Sequence, residues 1–438
     1  MSTIHLRSYP LTGGKRFHLK LGAAMAVLFH AVAAISAAQE APTIKKYALS
    51  ELVGMALKNT QLLSAQNARV EQIRLSAAQS RIWAGPSVGL LAGRTKQTEA
   101  SGSRMEFSVA QPLPLTGIPR LRAGLLDLQS ESAGVQRAAS EVLVTLSVAQ
   151  GAYEYTANRR KAAFAEKRRK RFELIESYLS GRVFATPQRM AERHIVSNQL
   201  KNLIAEAILG EAGYKTSLEK LKAFVPLDAG NYPEIEVPWL SGARAIDEKE
   251  LLTRALAENP ELRAQRLILK ETGIEKALAS KEGLPDTSLL ASFENGQADI
   301  IGTDVALGVS LAFPSWNRNR LGVKSAEQKR LAEERMLNYA EQTLKAELLH
   351  ALVAYEAARQ VVLKYPLPSL AELEGQLKAA DEGFRKGQVD LLTFLELDGS
   401  VTETYGRVLD AQADLAAKAA EVLALSADRD ALSKLASF

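Results

Sequence analysis

Val305-Ala306-Leu307-Gly308-Val309-Ser310-Leu311-Ala312-Phe313 alternates large apolar side chains with small or polar ones over nine residues. A period of two places Val305, Leu307, Val309, Leu311 and Phe313 on one face of a β-strand and Ala306, Gly308, Ser310 and Ala312 on the other. A tilted strand that crosses a bilayer needs about nine to eleven residues. Its partner, Thr287 to Glu294, precedes it across the polar turn Asn295-Gly296-Gln297. A second pair, Ser87 to Arg94 and Met105 to Gln111, flanks the polar loop Thr95 to Arg104. Four strands cannot close a barrel, which takes about eight. A hairpin buried on a soluble core is the plainer alternative, but strands contributed by several chains answer the count better.

The two strand pairs belong to a duplicated unit. Ala56-Leu57 … Ala65-Gln66 … Pro86 … Leu90-Leu91-Ala92 recurs 199 residues later as Ala255-Leu256 … Ala264-Gln265 … Pro285 … Leu289-Leu290-Ala291. Beyond it the offset becomes 200, and Val109, Leu113-Pro114 and Arg120-Leu121 match Val309, Phe313-Pro314 and Arg320-Leu321. Each unit reads as an entry helix, two strands and a very long helix. The first entry helix is expected over 50–81; the second opens at Asp247, an N-cap with Glu250 three residues on, and ends at Gly283-Leu284-Pro285.

The long helices carry a heptad pattern. Leu121, Leu125, Leu128, Ser132, Val135, Ala139, Val142, Leu146, Ala149 and Tyr153 step alternately by four and three. Leu337, Leu344, Leu348, Ala351, Tyr355 and Ala358 keep this step, as do Phe394, Val401, Tyr405, Val408, Leu415, Ala419 and Val422. A 3.5-residue repeat marks left-handed supercoiled packing. No proline falls between Pro119 and Ser180, so one helix of about 60 residues, roughly 90 Å long, is allowed. It turns at Ser180 to Pro187, where Gly181 suits a left-handed stop, Thr186 an N-cap and Pro187 the first helical position. The second turn runs from Gly383 to Asp390, with Gly387 as the stop and Asp390 as the cap. Pro366 and Pro368 predict a break in the second long helix.

The first 38 residues read as a cleaved secretory signal: basic Arg7, Lys15, Arg16 and Lys20, the apolar run Leu21 to Ile35, then Ser36-Ala37-Ala38. The alternative, a retained membrane helix, needs a longer run of about 20 residues. The signal holds four basic and no acidic side chains, so the formal charge of +5 falls to +1 on cleavage, and basicity is no nucleic-acid footprint. Without cysteine the chain has neither disulfides nor a lipid-attachment residue at the cleavage site. No later apolar stretch reaches the length of a transmembrane helix, so membrane insertion would require a β-barrel. With no linker in sight, the mature chain divides into a first repeat over 39–235 and a second over 236–438.

This layout resembles the TolC family of outer-membrane efflux proteins. The resemblance is carried by Ala56-Leu57-x-Asn59 and Ala255-Leu256-x-x-Asn259-Pro260 at the openings of the two halves. It continues in Gln111-Pro112-Leu113-Pro114 and Leu311-Ala312-Phe313-Pro314 at the strand-to-helix transitions. Gly383-Phe384-x-x-Gly387 followed by Asp390-Leu391-Leu392-x-Phe394-Leu395-Glu396 carries it at the second tip. It covers Tyr47 to about Asp430. Compact size and Pro366-x-Pro368 look most like the metal-efflux branch of the CzcC/CusC kind. The resemblance implies an α+β membrane protein: a homotrimer with one twelve-stranded β-barrel in outer-membrane lipid and an α-barrel of helical hairpins through the periplasm. It implies a passive exit duct for heavy-metal cations or small toxic compounds, docked to a periplasmic adaptor and an inner-membrane pump, of the RND type for a proton-driven system. Asn59-Thr60 departs from the Asn-Pro usual at that point.

The resemblance also implies site residues. Asp381, Glu382 and Arg385 beside the second tip are candidates for the periplasmic aperture, against the plainer reading of a solvated helix end. Gly181, Thr186, Pro187, Gly387, Val389 and Asp390 are candidates for adaptor docking. The basic run Arg159, Arg160, Lys161 and Lys167 to Arg171 reads as a solvated outer face, and export argues against nucleic acid. His194 and His350 stand alone, and no HxxxH, HExxH or carboxylate–histidine cluster occurs, so no metal site and no cofactor are expected. No G-x-S-x-G, P-loop or G-x-G-x-x-G is present, which points away from an enzyme. A periplasmic adaptor would show one hairpin with β-rich flanks, and a coiled-coil scaffold has no use for the strand at Val305. A channel for type I protein secretion is the remaining alternative.

Overall fold

A computed structural model describes residues 45–96, 101–180, 186–227, 232–242, 245–298, 301–314, 318–426 and 435. The expected signal over 1–38 lies outside the described residues. In chain order the elements are β1 (Lys46–Ala48), α1 (Leu49–Asn59), α2 (Gln61–Ser80), β2 (Ser87–Lys96), β3 (Ser101–Leu113), α3 (Ile118–Ser180), α4 (Pro187–Lys222) and β4 (Glu234–Glu236). There follow α5 (Glu248–Glu258), α6 (Pro260–Lys281), β5 (Asp286–Ala298), β6 (Ile301–Ala312), α7 (Arg320–Lys364), α8 (Ser369–Arg385) and α9 (Leu391–Leu425). Two helices, a strand hairpin, a long helix and a returning helix thus occur twice in succession. α3 has 63 residues, roughly 95 Å at the rise of an α-helix. In the second half the helix is cut between α7 and α8, where Pro366 and Pro368 supply no amide hydrogen.

The four long strands form one antiparallel sheet in the order β2-β3-β5-β6, so β2 and β6 are its unpaired edges. The helices attached to them follow the same order: α2 packs on α3, α3 on α6 and α6 on α7. Farther from the sheet the neighbours become α4 on α3, α3 on α9 and α9 on α8. Between these two layers β1 and β4 pair in parallel, tying the start of the described chain to the link between the halves.

Heptad positions fill the cores. Leu146, Ala149, Tyr153, Leu344, Leu348, Ala351 and Tyr355 are buried in a cluster with α1, α5 and the C-terminal part of α9. Its polar groups are matched: Leu240 exchanges both backbone hydrogen bonds with the buried Gln412 amide, at 3.0 and 2.9 Å. Tyr155 donates its hydroxyl to the Pro233 carbonyl at 2.8 Å, and burial pushes its pKa up to about 12. A second cluster joins Ala157, Phe164, Leu373, Leu377, Val401 and Tyr405. A third joins Phe172, Ile175, Leu179, Leu200, Leu203, Leu391 and Phe394 near the tips.

Two sequence expectations need correction. The entry helix over 50–81 is two helices, broken at Thr60 (φ −69°, ψ 119°). Thr60 Oγ1 donates to the Ala56 carbonyl at 2.5 Å, a local bond that competes with helix continuation. In the second half Asn259 breaks the helix and caps α6, accepting from the amides of Glu261 (2.9 Å) and Leu262 (3.1 Å). The constant spacing of 199 residues therefore pairs Asn259 with Thr60, not with Asn59. The strands also outrun their expected bounds. Asn295-Gly296-Gln297 is no turn, because Asn295 pairs with Thr303 and Gly296 with Arg104. A register shift between Asn295 and Ala298 absorbs the irregularity, as a β-bulge does.

Candidate functional site

The sheet has two chemically distinct faces. Register places Val88 and Leu90, Phe107 and Val109, Leu289 and Phe293, and Val305, Leu307 and Val309 on one side. All but the half-buried Val109 are bare: Leu307 is 80% exposed and Val305 74%. The other side carries Ser108, Ser292, Ser288, Ala306, Gly308 and Ser310, with charge concentrated in one row. Glu106 pairs directly with Glu294, and Glu294 with Asp304. Arg104, on the same face, donates to Glu294 at 2.9 Å and reaches Glu106 at 3.4 Å. Like charges directly opposite one another destabilise a sheet, and Arg104 offsets part of that. Sequence analysis passed over this row, although the alternation that marks the apolar face also assigns Glu106, Glu294 and Asp304 to the opposite one.

At the other end of the molecule the α8–α9 turn is built by backbone capping. Gly387, with φ +73°, ends the helix in the left-handed region that glycine alone adopts freely. Gln388 N–H bonds to the Gly383 carbonyl (2.8 Å) and Gly387 N–H to that of Phe384 (3.0 Å), the double closure of a Schellman motif. Asp390 caps α9, accepting from Thr393 N–H at 2.8 Å and from its hydroxyl at 2.9 Å. These bonds hold its carboxyl below the usual range. Val389 folds back so that a Cβ on Gly383 would lie 2.8 Å from its Cγ2. Gly383→Ala is therefore expected to cost about 1–3 kcal/mol through overpacking, read as a lower unfolding midpoint that Gly383→Ala with Val389→Ala restores.

Asp381 and Arg385 form a two-pronged ion pair one turn before this stop, at 3.2 and 3.0 Å. The Asp381 side chain is only 16% exposed, whereas Glu382 beside it is exposed. At the first tip Thr186 caps α4 with Pro187 in the first turn; Gly181 lies outside the described residues. The two tips share one apolar cluster, with the rings of Phe172 (α3) and Phe394 (α9) 5.8 Å apart.

One member of the basic run in α3, Arg168, is buried and not part of a solvated face, which corrects the sequence reading at that position. Arg168 is buried between the second and third clusters, its side chain 4% exposed beside Asp398 of α9 at 2%. Its Nη2 donates to Asp398 at 2.6 Å and its Nη1 to Glu206 of α4 at 3.1 Å. Around it, Arg160 stacks on Trp239 at 4.3 Å, Arg169 holds Glu166 and Glu173, and Lys167 holds Glu374. Heptad spacing carried a signal here: Asp398 fills the apolar step between Phe394 and Val401, and Arg168 the step between Phe164 and Phe172.

Among the described residues no group of three or more His, Cys, Asp or Glu side chains could hold a metal ion. None of their helices is long and apolar enough to cross a membrane.

Residues 251–433 match the model of the family described as outer membrane efflux protein. No curated protein matches the chain. Among solved structures, CusC has a TM-score of 0.69 at 13% identity, over 86% of this chain and 91% of that one. The CmeC outer membrane channel of Campylobacter jejuni gives 0.68 at 15%, covering 88% of each. The open-state MtrE outer membrane channel of Neisseria gonorrhoeae gives 0.65 at 17%, covering 86% and 88%. At such identities the likeness speaks for the fold.

Proposed function

We infer that this chain belongs to the TolC family of outer-membrane efflux proteins and serves as the outer-membrane channel of a tripartite system, a reading supported by the family match over its second half and by the fold it shares with CusC and CmeC. The observation that carries the reading is the sheet: four strands, two free edges and one bare apolar face. In a homotrimer β6 of one chain meets β2 of the next, and twelve strands close a barrel that removes every edge. The helices, already in strand order, continue it as an α-barrel. The apolar face meets lipid and the row of Glu106, Glu294 and Asp304 lines the lumen. We take residues 1–38 as the cleaved signal and 39–235 and 236–438 as the duplicated units.

Three copies of that row favour cations, which supports a metal ion or a small cationic toxic compound as cargo, driven by an RND-type pump through a periplasmic adaptor. Gly181, Thr186, Pro187, Gly387, Val389 and Asp390 form the docking tips, and Asp381, Glu382 and Arg385 the aperture. Protein secretion is less favoured, because a lumen row of fixed carboxylates suits small cations better than a polypeptide.

The test is fractionation followed by conductance. The chain is expected in detergent-extracted outer membrane as a trimer, and Asp381→Ala is expected to raise single-channel conductance in a planar bilayer, since it frees Arg385 and thins the acidic ring. A soluble periplasmic monomer would sink the channel, and an unchanged conductance removes Asp381 from the aperture.

A further inference from the structure

The rim where strands pass into helices carries side chains that conduction does not need. Trp83, 66% exposed, stands between two clefts. One is lined by Arg81, Arg120 and Asp127, the other by Arg122, Glu282 and Asp286. Arg81 is held by Asp127 at 2.6 Å and Arg122 lies 3.8 Å from Glu282. Arg120, the third residue of α3, is exposed and makes no ion pair among the described residues. The same holds for Arg320, its counterpart 200 residues on at the start of α7, and for Arg318. Both halves of the chain thus place an unmatched guanidinium at the same joint. Beside these cations Ile82, Leu115, Phe313 and Leu321 are exposed. The segment that bears Trp83 also adjoins the apolar face, since Gln111 on that face donates to the Ala84 carbonyl at 2.9 Å.

Exposed cations, an indole and aliphatic side chains at one level match a bilayer interface. Indoles settle at headgroup depth, and guanidinium groups pair with phosphate through two parallel hydrogen bonds. We propose that this rim binds anionic phospholipid: Arg120, Arg318 and Arg320 take the headgroup phosphates, Trp83 sits among the headgroups, and Ile82, Leu115, Phe313 and Leu321 reach the acyl chains. The proposal rests on the channel reading, which puts this end of the sheet at the periplasmic leaflet. It goes beyond that reading in requiring a charged lipid where a barrel alone requires only an apolar one.

Thermal unfolding of the full-length protein in detergent tests it, with added phosphatidylglycerol, phosphatidylcholine of the same acyl chains, or inorganic phosphate. Phosphatidylglycerol is expected to raise the midpoint more than phosphatidylcholine, and phosphate to leave it unchanged. Arg120→Gln with Arg318→Gln and Arg320→Gln is expected to abolish the excess and keep the phosphatidylcholine response. Should the triple variant not fold, Arg120→Gln and Trp83→Leu, each alone, are expected to reduce the excess. Equal shifts from the two lipids, an excess that survives the substitutions, or the same shift from free phosphate would overturn the proposal. Oligomer mass and membrane fractionation on the same preparation separate the two readings. An outer-membrane trimer without lipid preference removes the rim proposal alone, whereas a soluble monomer removes the channel and the rim with it.

Discussion

Replacing Arg168 by methionine is expected to lower unfolding stability by about 3–5 kcal/mol, the cost of leaving a buried charge without its partner. Asp398 is 2% exposed and keeps no other cation within ion-pair distance among its described neighbours. It lies between two apolar clusters, one holding Phe164 and Tyr405 and the other Phe172 and Phe394, so water cannot readily replace the guanidinium. Asp398→Leu alone should be similarly costly on the arginine side, softened by Glu206, whose side chain is 49% exposed and still reaches Arg168. The double variant Arg168→Met with Asp398→Leu should recover most of the loss, because apolar residues of like volume replace buried ion pairs at little cost. Chemical denaturation of the four proteins measures the coupling. If the singles and the double are equally destabilised, the pair contributes packing and not charge compensation. The pair also joins α3 to α9, and through Glu206 to α4, so proteolysis at the tips should accelerate in the singles before global unfolding does.

That pair shows where the sequence was readable and where it was not. The heptad stripe was legible because residues such as Leu146, Tyr355, Phe394 and Val401 recur at a fixed step, and these four are buried, whereas stripe positions toward the sheet such as Leu121, Leu125 and Leu128 are only half-buried. Arg168 was misread because its neighbours Lys167, Arg169 and Lys170 do face solvent, and a run of like charge hides one member that points inward. The repeat placed the helix breaks only approximately. Pro260 announces one, whereas Thr60 acts through a hydroxyl-to-carbonyl bond that many mid-helix threonines make without breaking anything. Strand ends were underestimated because polar residues such as Asn295 and Arg104 look like loop, yet both remain paired in the sheet, Asn295 with Thr303 and Arg104 with Gly296. The repeat already paired Arg120 with Arg320, but only the sheet order brings the two joints to the same end of one sheet.

The two faces of that sheet yield the other large effect. Leu307→Arg is expected to cost roughly 2–4 kcal/mol per chain, the range for a guanidinium at the midplane of a barrel's lipid face. Leu307 lies in the middle of β6 (Ile301–Ala312) and is the most exposed apolar side chain of the strand. Ala306→Arg changes the adjacent residue by the same chemistry, but its side chain points to the face shared by Ser292 and Glu294. In the closed barrel that face meets water, so Ala306→Arg should fold and insert with little loss. The quantity to measure is the fraction of trimer in the outer membrane, together with the urea midpoint after refolding into vesicles. The comparison is sharper than either variant alone, because one residue of displacement along a strand reverses the face while the introduced side chain and its charge are the same. A silent Leu307→Arg with a damaging Ala306→Arg would turn the barrel inside out. Equal damage from both would mean that both faces are covered by protein, as in a sheet packed within a soluble assembly, and the free edges of β2 and β6 would then need another partner than a second copy of this chain.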